Sequence, residues 1–409
     1  MNITNAKQAL AFQEEGYNMF KDRNITIDAT RGKPGPEQVA LCKEMLAPLE
    51  AYNSENGVDV LNYGGNDGLP EMKRLFGEML GVPSDNIIVG GNSSLNMMFD
   101  CIATLIQSGL WKSGQKFLCP SPGYDRHFAV CEYFGLKMIP VAMTSDGPDM
   151  DTVEALAKDP EVAGMWCVPV FSNPQGYIYC NNTIGRLAKM QVSHPAFKLL
   201  WDDAYTVHHF AGKRPKPTNI LKECTKYGNE DRPILFTSFS KISIPGAAVV
   251  CMAAAGESLK LMKKRINVQT IGPDKINQLR HMRFFKDLPG VMAHMSKHAE
   301  ILAPKFEDAY SLLRFELLST EATFTTPKGG YFISIETAPG LAKRVWQLCK
   351  NAGLMLTEAG ATYPYGNDPN DSNLRFAPTF LSFEEIEQAI EVLGASIRLA
   401  EAERRAANE

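Results

Sequence analysis

Short apolar runs alternate with longer helical patterns through the middle of the chain. The runs are about five to seven residues long and lack a regular alternation of polar and apolar positions, which is typical of strands buried on both faces. We predict strands over 86–90, 115–119, 136–142, 164–170, 198–202, 234–238 and 247–252. Because helical patterns such as 94–106 separate them, these runs indicate an α/β fold with a mostly parallel sheet and helices on both faces.

The two ends of the chain have a different pattern, in which helical stretches dominate. We predict helices over 6–20, 37–49, 289–317, 341–352 and 383–404, and short strands over 330–336 and 373–377. This arrangement favours a smaller α+β domain built from residues 1–49 and 288–409, beside a large domain over residues 50–287.

Composition narrows the class of protein without changing this fold. The 409 residues are 44% hydrophobic and 22% charged, the net charge is −4, and the basic residues are scattered. These values are ordinary for a globular protein and do not favour nucleic acid or an anionic membrane as a partner. No apolar run is long enough to cross a bilayer, and the first ten residues lack a signal-peptide pattern, so we expect a cytoplasmic protein.

The nine cysteines are irregularly spaced and include no C-x-x-C pair. Most lie in apolar runs, which is typical of buried free thiols in a reducing compartment. The cysteine pattern therefore predicts neither disulfides nor a metal site.

Polar and aromatic clusters follow the predicted strands, at the end of an open α/β sheet where ligands bind. The clusters are Gly90-Gly-Asn-Ser-Ser94, Pro120-Ser-Pro-Gly-Tyr124, Ser172-Asn-Pro-Gln-Gly176, Asp202-Asp-Ala-Tyr205 and Ser238-Phe-Ser-Lys241. Most of these residues also have an ordinary structural interpretation, since serines cap helices, Asn-Pro marks turns and lysines are usually solvated. Asp202 is harder to explain in that way, because it ends a run of apolar residues where an unpaired carboxylate is costly.

The ordered set N-P-Q-G, D-x-A-Y and S-x-S-K, followed by Asn-Leu-Arg-Phe at 373–376, resembles the fold type I pyridoxal-phosphate aminotransferases. The resemblance covers essentially the whole chain and implies the PLP-dependent transferase fold, with a seven-stranded type of sheet. Two longer strings, 64–76 and 270–281, resemble the divergent branch of aspartate aminotransferases found in some actinobacteria and other bacteria.

The resemblance implies three catalytic residues. Lys241 corresponds to the lysine that forms a Schiff base with the cofactor aldehyde and later moves the α-proton. Asp202 corresponds to the carboxylate that keeps the ring nitrogen protonated, and Tyr205 to the tyrosine that bonds the ring oxygen. Asn173 is expected to donate its amide to the same oxygen.

The resemblance also implies residues that hold the rest of the cofactor. Tyr124 corresponds to an aromatic ring stacked on the pyridine. The helix opening that contains Asn92, Ser93 and Ser94 could cradle the phosphate, and Ser238 matches a serine that also reaches it. Tyr63 resembles a tyrosine that reaches the phosphate of the partner subunit, which implies a homodimer with shared active sites.

Two residues are implied for the substrate, besides Asn173. The guanidinium of Arg375 can hold an α-carboxylate through two parallel hydrogen bonds, and it interrupts an apolar strand. Gly32 resembles a glycine that lets the substrate approach the backbone closely.

The sequence departs from the family in one respect. Many members carry a phosphate-binding arginine seven or eight residues after the lysine, where this chain has Ala248 and Val249. The candidates to replace it are Arg31, Lys33, Arg126 and Lys275.

We therefore expect an aminotransferase that uses pyridoxal phosphate, acts on an amino acid and a 2-oxo acid, and prefers aspartate with 2-oxoglutarate. Arg31 or Arg126 could hold the distal carboxylate. One alternative is a PLP-dependent β-lyase, since the same cofactor also supports eliminations. A non-enzymatic sensor is a weaker alternative, because no basic helix-turn-helix pattern is found.

Overall fold

A computed structural model describes residues 6–408 of the chain. Thirteen α-helices are present in this part: α1 (Ala6–Lys21), α2 (Pro36–Ala40), α3 (Pro70–Leu80), α4 (Ser94–Gln107), α5 (Asp125–Tyr133), α6 (Met150–Leu156), α7 (Asn181–Lys189), α8 (Ile220–Thr225), α9 (Gly256–Gln269), α10 (Lys275–Phe285), α11 (Leu288–Glu316), α12 (Ala342–Asn351) and α13 (Phe383–Ala407).

The described residues also form thirteen strands. They are β1 (Ile27–Asp28), β2 (Ile87–Val89), β3 (Lys116–Ser121), β4 (Lys137–Thr144), β5 (Gly147–Pro148), β6 (Val162–Cys167), β7 (Lys198–Asp202), β8 (Pro233–Ser238), β9 (Val250–Ala253), β10 (Thr323–Phe324), β11 (Ile333–Glu336), β12 (Leu354–Met355) and β13 (Asn373–Phe376).

The central sheet has the order β2-β9-β8-β7-β6-β3-β4-β5. Strands β8, β7, β6, β3 and β4 run parallel, whereas β9 is antiparallel to both of its neighbours. The eighth strand, β5, has two residues and pairs antiparallel with β4 at the edge. The predicted mostly parallel sheet is confirmed, and each of the seven predicted strands is present.

Both faces of this sheet are covered, as the absence of polar alternation indicates. The neighbouring residues Leu235 and Phe236 of β8 are buried in two different apolar clusters. Phe76 and Leu187 share the cluster of Leu235, whereas Ile102 shares that of Phe236. Successive side chains of a strand point to opposite faces, so helices pack on both sides of the sheet.

A third apolar cluster unites the two ends of the chain. It contains Tyr17 of α1, Phe306 of α11, Val345 of α12 and Ile390 of α13. The cluster packs beside a three-stranded antiparallel sheet of order β10-β11-β13 and a short parallel pair, β1 and β12. This is consistent with an α+β unit made from both chain ends, and the boundaries at residues 50 and 287 stay a prediction.

The structure differs from the sequence prediction mainly in where elements end. The helix predicted over 37–49 is a five-residue helix, α2, followed by a separate 3-10 turn over Lys43–Leu46. Pro48 lies two residues beyond that turn and bars its continuation as a helix. The strand predicted over 164–170 ends at Cys167, since Pro169 has no N–H to donate to a neighbouring strand.

Two further observations concern the chain as a whole. All nine cysteines are free, and all are buried except Cys180, which is half-buried. Within residues 6–408, no helix combines the length and the apolar character needed to cross a membrane.

Candidate active site

A cavity of about 650 Å³ opens where the carboxyl ends of the central strands meet the segments from the two chain ends. The carboxyl ends of parallel strands lie at one edge of a sheet, which explains why clusters distant in sequence converge there. Seven of the predicted site residues line this cavity: Gly32, Tyr124, Asn173, Asp202, Tyr205, Lys241 and Arg375.

Lys241 lies three residues after the end of β8, and its ammonium nitrogen lies 5.0 Å from the centre of the Tyr205 ring. Burial lowers the pKa of this amine below its ordinary value, and the charge of Asp202 partly opposes the shift. The main-chain carbonyl of Lys241 accepts hydrogen bonds from the hydroxyl of Tyr331 at 3.2 Å and from Nε2 of His208 at 3.3 Å. These two hydrogen bonds fix the main chain of Lys241, while its amine lines the cavity.

Asp202 is the last residue of β7 and is buried. Its Oδ2 accepts a hydrogen bond from Nε2 of His127 at 3.0 Å, and its Oδ1 is buried without a partner. A buried carboxylate oxygen without a donor is costly, so this atom is suited to a protonated ligand group in the cavity.

Tyr205 and Asn173 are buried on the same wall. Burial raises the pKa of the Tyr205 hydroxyl well above its ordinary value, so this group is a neutral donor. The amide oxygen of Asn173 accepts a hydrogen bond from Nη1 of Arg375 at 3.2 Å. This contact fixes the amide so that its NH₂ end is available to a ligand.

Arg375 lies on β13 and reaches the cavity from the smaller sheet. Its Nη1 donates to Oδ1 of Asp125 at 2.9 Å, and its Nη2 donates to Oγ1 of Thr357 at 2.8 Å. The guanidinium carbon lies 4.8 Å from the centre of the Phe332 ring, which supports one face of the planar group.

Gly32 packs against the same aromatic ring. A Cβ atom at this position would lie 2.6 Å from Cζ of Phe332, so a larger residue would displace the ring beneath Arg375. The structure therefore gives Gly32 a steric role next to the guanidinium.

The comparisons with known proteins agree with this geometry. A family model described as aspartate amino-transferase matches residues 1–409. The chain belongs to this family. It is 43% identical over 398 residues to the aspartate aminotransferase of Corynebacterium glutamicum, covering 95% of this chain and 92% of that protein.

A crystal structure of an aspartate transaminase from the same organism has a TM-score of 0.95 and 40% identity, and it covers 99% of this chain and 98% of that one. A 2-aminoadipate transaminase of Thermus thermophilus is 24% identical over 372 residues, covering 90% of this chain and 89% of that protein. The predicted fold type I architecture and aminotransferase function are thereby confirmed, and the protein is a transaminase.

The helix opening of this aminotransferase lies beside the cavity. Asn92 and Ser93 line a neighbouring cavity of about 390 Å³, and Ser94 is the first residue of α4. Ser93 also caps the helix, since its hydroxyl accepts a hydrogen bond from N of Asn96 at 3.4 Å. The structural interpretation of this serine is therefore correct, and a ligand role is compatible with it.

The hydroxyls of Ser238 and Ser240 form a hydrogen-bonded pair next to the helix opening. Ser238 donates to Oγ of Ser240 at 2.6 Å, and Ser240 approaches the carbonyl of Asn92 at 3.4 Å. Ser240 was not predicted from the sequence, although it lies inside the S-x-S-K motif. Ser240 thus lies in hydrogen-bond contact with Ser238, one of the residues predicted to reach the phosphate.

The four cations proposed in place of the missing arginine have different environments. Arg31, Lys33 and Arg126 line the main cavity. The ammonium of Lys275 instead donates to the main-chain carbonyls of Asn62 and Gly64, next to Tyr63. Lys275 therefore supports that loop, and the other three remain available to a ligand.

Tyr63 lines neither cavity, and 82% of its surface is exposed. Within one chain it does not reach Lys241, so its role at a partner's site stays a prediction.

His127 is the main residue that sequence reasoning missed. It lies one helical turn after Tyr124 in α5, and its ring stacks on Trp166 at 4.0 Å with an angle of 5° between the planes. The available signal was the spacing of three residues from Tyr124, the N-cap of α5, since it brings the His127 ring within 4.9 Å of the Tyr124 ring.

Proposed function

We propose that the protein binds pyridoxal 5′-phosphate through Lys241 and moves an amino group between aspartate or glutamate and a 2-oxo acid. The observation that carries this proposal is Asp202, a buried carboxylate with one oxygen on His127 and the other unpaired. A protonated ring nitrogen is the donor that this oxygen lacks. The buried amine of Lys241, with its lowered pKa, suits the attack on an aldehyde because the neutral amine is the nucleophile.

Pyridoxal phosphate, when bound, supplies a sink for the electron pair released at the substrate Cα. Asp202 holds the proton on the ring nitrogen, and His127 orients the carboxylate. The hydroxyl of Tyr205 and the NH₂ group of Asn173 donate to the ring oxygen. With the cofactor bound, the amine of Lys241 would accept the proton from the substrate Cα and would serve as the acid and base of the site.

The rest of the cofactor is assigned to the neighbouring polar groups. Tyr124 supports the ring face. Asn92, Ser93, Ser94 and Ser238 form the phosphate cradle at the N-terminus of α4, where free N–H groups favour an anion.

Arg375 is proposed to bind the α-carboxylate, next to Gly32. The rim of the cavity supplies Arg31, Lys33 and Arg126 for a second carboxylate. A dicarboxylic amino acid suits this excess of cations, and the name of the Corynebacterium glutamicum relative supports the same substrate class.

A homodimer is part of the proposal. Exposed apolar side chains cluster in sequence around two segments, with Leu61 and Tyr63 in one and Val268 and Ile271 in the other, and each is more than half exposed. A hydrogen bond from N of Gly64 to the carbonyl of Ile271 joins the segments. An apolar surface of this kind suits a second copy of the chain. Sedimentation analysis tests this proposal, and a monomer of 45.2 kDa would contradict it.

The first experiment tests the lysine. Lys241→Ala, mixed with pyridoxal phosphate, should lose the visible absorbance band of the lysine-bound cofactor. The matched control is Lys198→Met, which removes another buried lysine whose ammonium donates to the carbonyl of Asp231. A band retained in Lys241→Ala, or lost equally in both variants, would overturn the assignment.

The second experiment tests the substrate. Single amino acids are added to the yellow enzyme, and conversion of the cofactor to its aminated form is followed by absorbance. Aspartate and glutamate should react, and aromatic or branched amino acids should not. Reaction with only the latter would contradict the substrate, and release of ammonia and pyruvate without a 2-oxo acid would indicate a β-lyase.

A further inference from the structure

Arg375 has a carboxylate partner within the chain itself. Its Nη1 lies 2.9 Å from Oδ1 of Asp125, and this is its sole ion pair within residues 6–408. The arginine side chain is 6% exposed and that of the aspartate 28%, so the pair lies largely out of water. The charge that is assigned to the substrate carboxylate is thus neutralised by the chain itself.

The other N–H groups of Arg375 are also engaged. Nη1 donates to Asn173 as well as Asp125, and Nη2 donates to Oγ1 of Thr357 and, at 3.4 Å, to the carbonyl of Thr30. Only Nε is buried without a partner. A guanidinium offers five N–H donors, so an incoming carboxylate can form two parallel hydrogen bonds only by displacing a present acceptor.

Among the acceptors of Arg375, Asp125 has a second cation nearby. Its Oδ2 lies 3.8 Å from Nε of Arg126, whose side chain is half-exposed at the cavity rim. Asp125 is also the first residue of α5, where the helix dipole favours a negative charge in either orientation of the carboxylate. The aspartate therefore has two cations within reach, and turning its carboxylate from Arg375 to Arg126 should cost little free energy.

We propose that Asp125 is an internal counter-ion that occupies Arg375 in the free enzyme and turns to Arg126 when a substrate carboxylate binds. This rests on the proposed role of Arg375. Asp125 thus weakens the binding of every carboxylate to this site, and selects ligands that bind strongly enough to displace it.

The test measures binding of two unreactive acids, succinate and propionate, to the cofactor-loaded enzyme by calorimetry. Asp125→Asn keeps the shape and removes the charge, and should tighten both acids roughly tenfold, because a charge-assisted hydrogen bond no longer has to be broken. The KM for the amino acid should fall by a similar factor. Asp125→Glu keeps the negative charge of the parent and should bind both acids nearly as weakly as the parent.

Two results would overturn the proposal. Unchanged or weaker binding in Asp125→Asn would mean that Asp125 only orients the guanidinium. Tighter binding in Asp125→Glu equal to that in Asp125→Asn would mean that the charge is irrelevant.

Arg126→Gln tests the second position of the carboxylate. It should weaken propionate in the parent and leave it unchanged in Asp125→Asn, because the aspartate that needed the second cation is gone. An equal loss in both backgrounds would refute this step and assign Arg126 to direct ligand contact. Failure of the proposed function is distinguishable, since Arg375→Gln would then bind both acids as tightly as the parent.

Discussion

Acidification from pH 7.5 to 5.5 should destabilise this protein by an amount that the structure allows to be calculated. Burial lowers the pKa of three histidines from 6.5, to about 3 for His208, about 4 for His281 and about 3 for His298. Burial also raises the pKa of the Asp203 carboxyl from 3.8 to about 7, with the charge of Asp202 adding to the shift. These groups change the proton balance in opposite directions.

Around pH 5.5 an unfolded chain binds about 0.9 proton on each of the three histidines, and the folded chain binds almost none. Asp203 opposes this with about one proton bound in the folded state alone. From these four groups the unfolded state therefore binds about 1.8 more protons at pH 5.5 and almost none more at pH 7.5, so acidification over this interval lowers the stability by about 2 kcal/mol in total. Because the histidine pKa values are lowered in the fold, their contribution is complete above pH 6.5 and is lost as the pH falls toward 4.

The contacts of His298 explain why it resists protonation. The N–H of Gly35 donates to Oε1 of Gln38, so the NH₂ end of that amide faces Nδ1 of His298 at 2.9 Å. The imidazole proton is therefore on Nε2, which faces the carbonyl of Ile242 and lies 3.0 Å from Nε2 of His294. A second proton on Nδ1 would set two donors against each other inside the protein.

The assay is proton uptake on unfolding. Enzyme at pH 5.5 in weak buffer is unfolded with guanidinium chloride, and the acid needed to restore the pH is titrated for the parent and for His298→Gln. The variant should take up about 0.9 proton less per chain, and at pH 8 the difference should vanish because neither state then binds the proton. Equal uptake at pH 5.5 would refute the reasoning, since it would mean that His298 titrates alike in both states.

Three further outcomes are expected. Gly32→Ala should raise the KM roughly tenfold, because the added Cβ displaces the Phe332 ring under Arg375. Gly185→Ala is the control for steady-state kinetics and should leave the KM unchanged, since no atom lies within 4 Å of its added Cβ. His127→Phe should lower kcat roughly tenfold or more and shift the pH dependence of the visible band, since Asp202 loses a charge-assisted hydrogen bond. Gln38→Leu leaves the N–H of Gly35 and Nδ1 of His298 without partners and removes one of the two hydrogen bonds of the Tyr331 hydroxyl, so it should cost about 3 kcal/mol in denaturant unfolding; a loss below about 1 kcal/mol would contradict this reasoning.

The sheet and most of the cavity could be predicted because both depend on local patterns. Apolar runs locate the strands, and residues directly after parallel strands must lie at one edge, which brought Asn173, Asp202 and Lys241 together. The same reasoning did not reveal how Asp125 contacts Arg375, since 250 positions separate them and the contact depends on how the smaller sheet packs against the larger one. The role predicted for Tyr63 stays a prediction, because its proposed contact is with a second subunit.

The adjacent residues Asp202 and Asp203 show how a strand pattern can distinguish a carboxylate that faces the ligand cavity from one that does not. Composition treats them alike, yet successive side chains at the end of a strand point in opposite directions. Asp202 lines the cavity that contains Lys241, whereas Asp203 lines a different one beside Arg214. Asp202 presents an oxygen without a partner to the cavity that contains Lys241, so it can accept a proton donor from a ligand. Burial instead raises the pKa of the Asp203 carboxyl to about 7. If the two were exchanged in role, Asp203→Asn would abolish the visible cofactor band and Asp202→Asn would spare it, whereas the geometry requires the reverse.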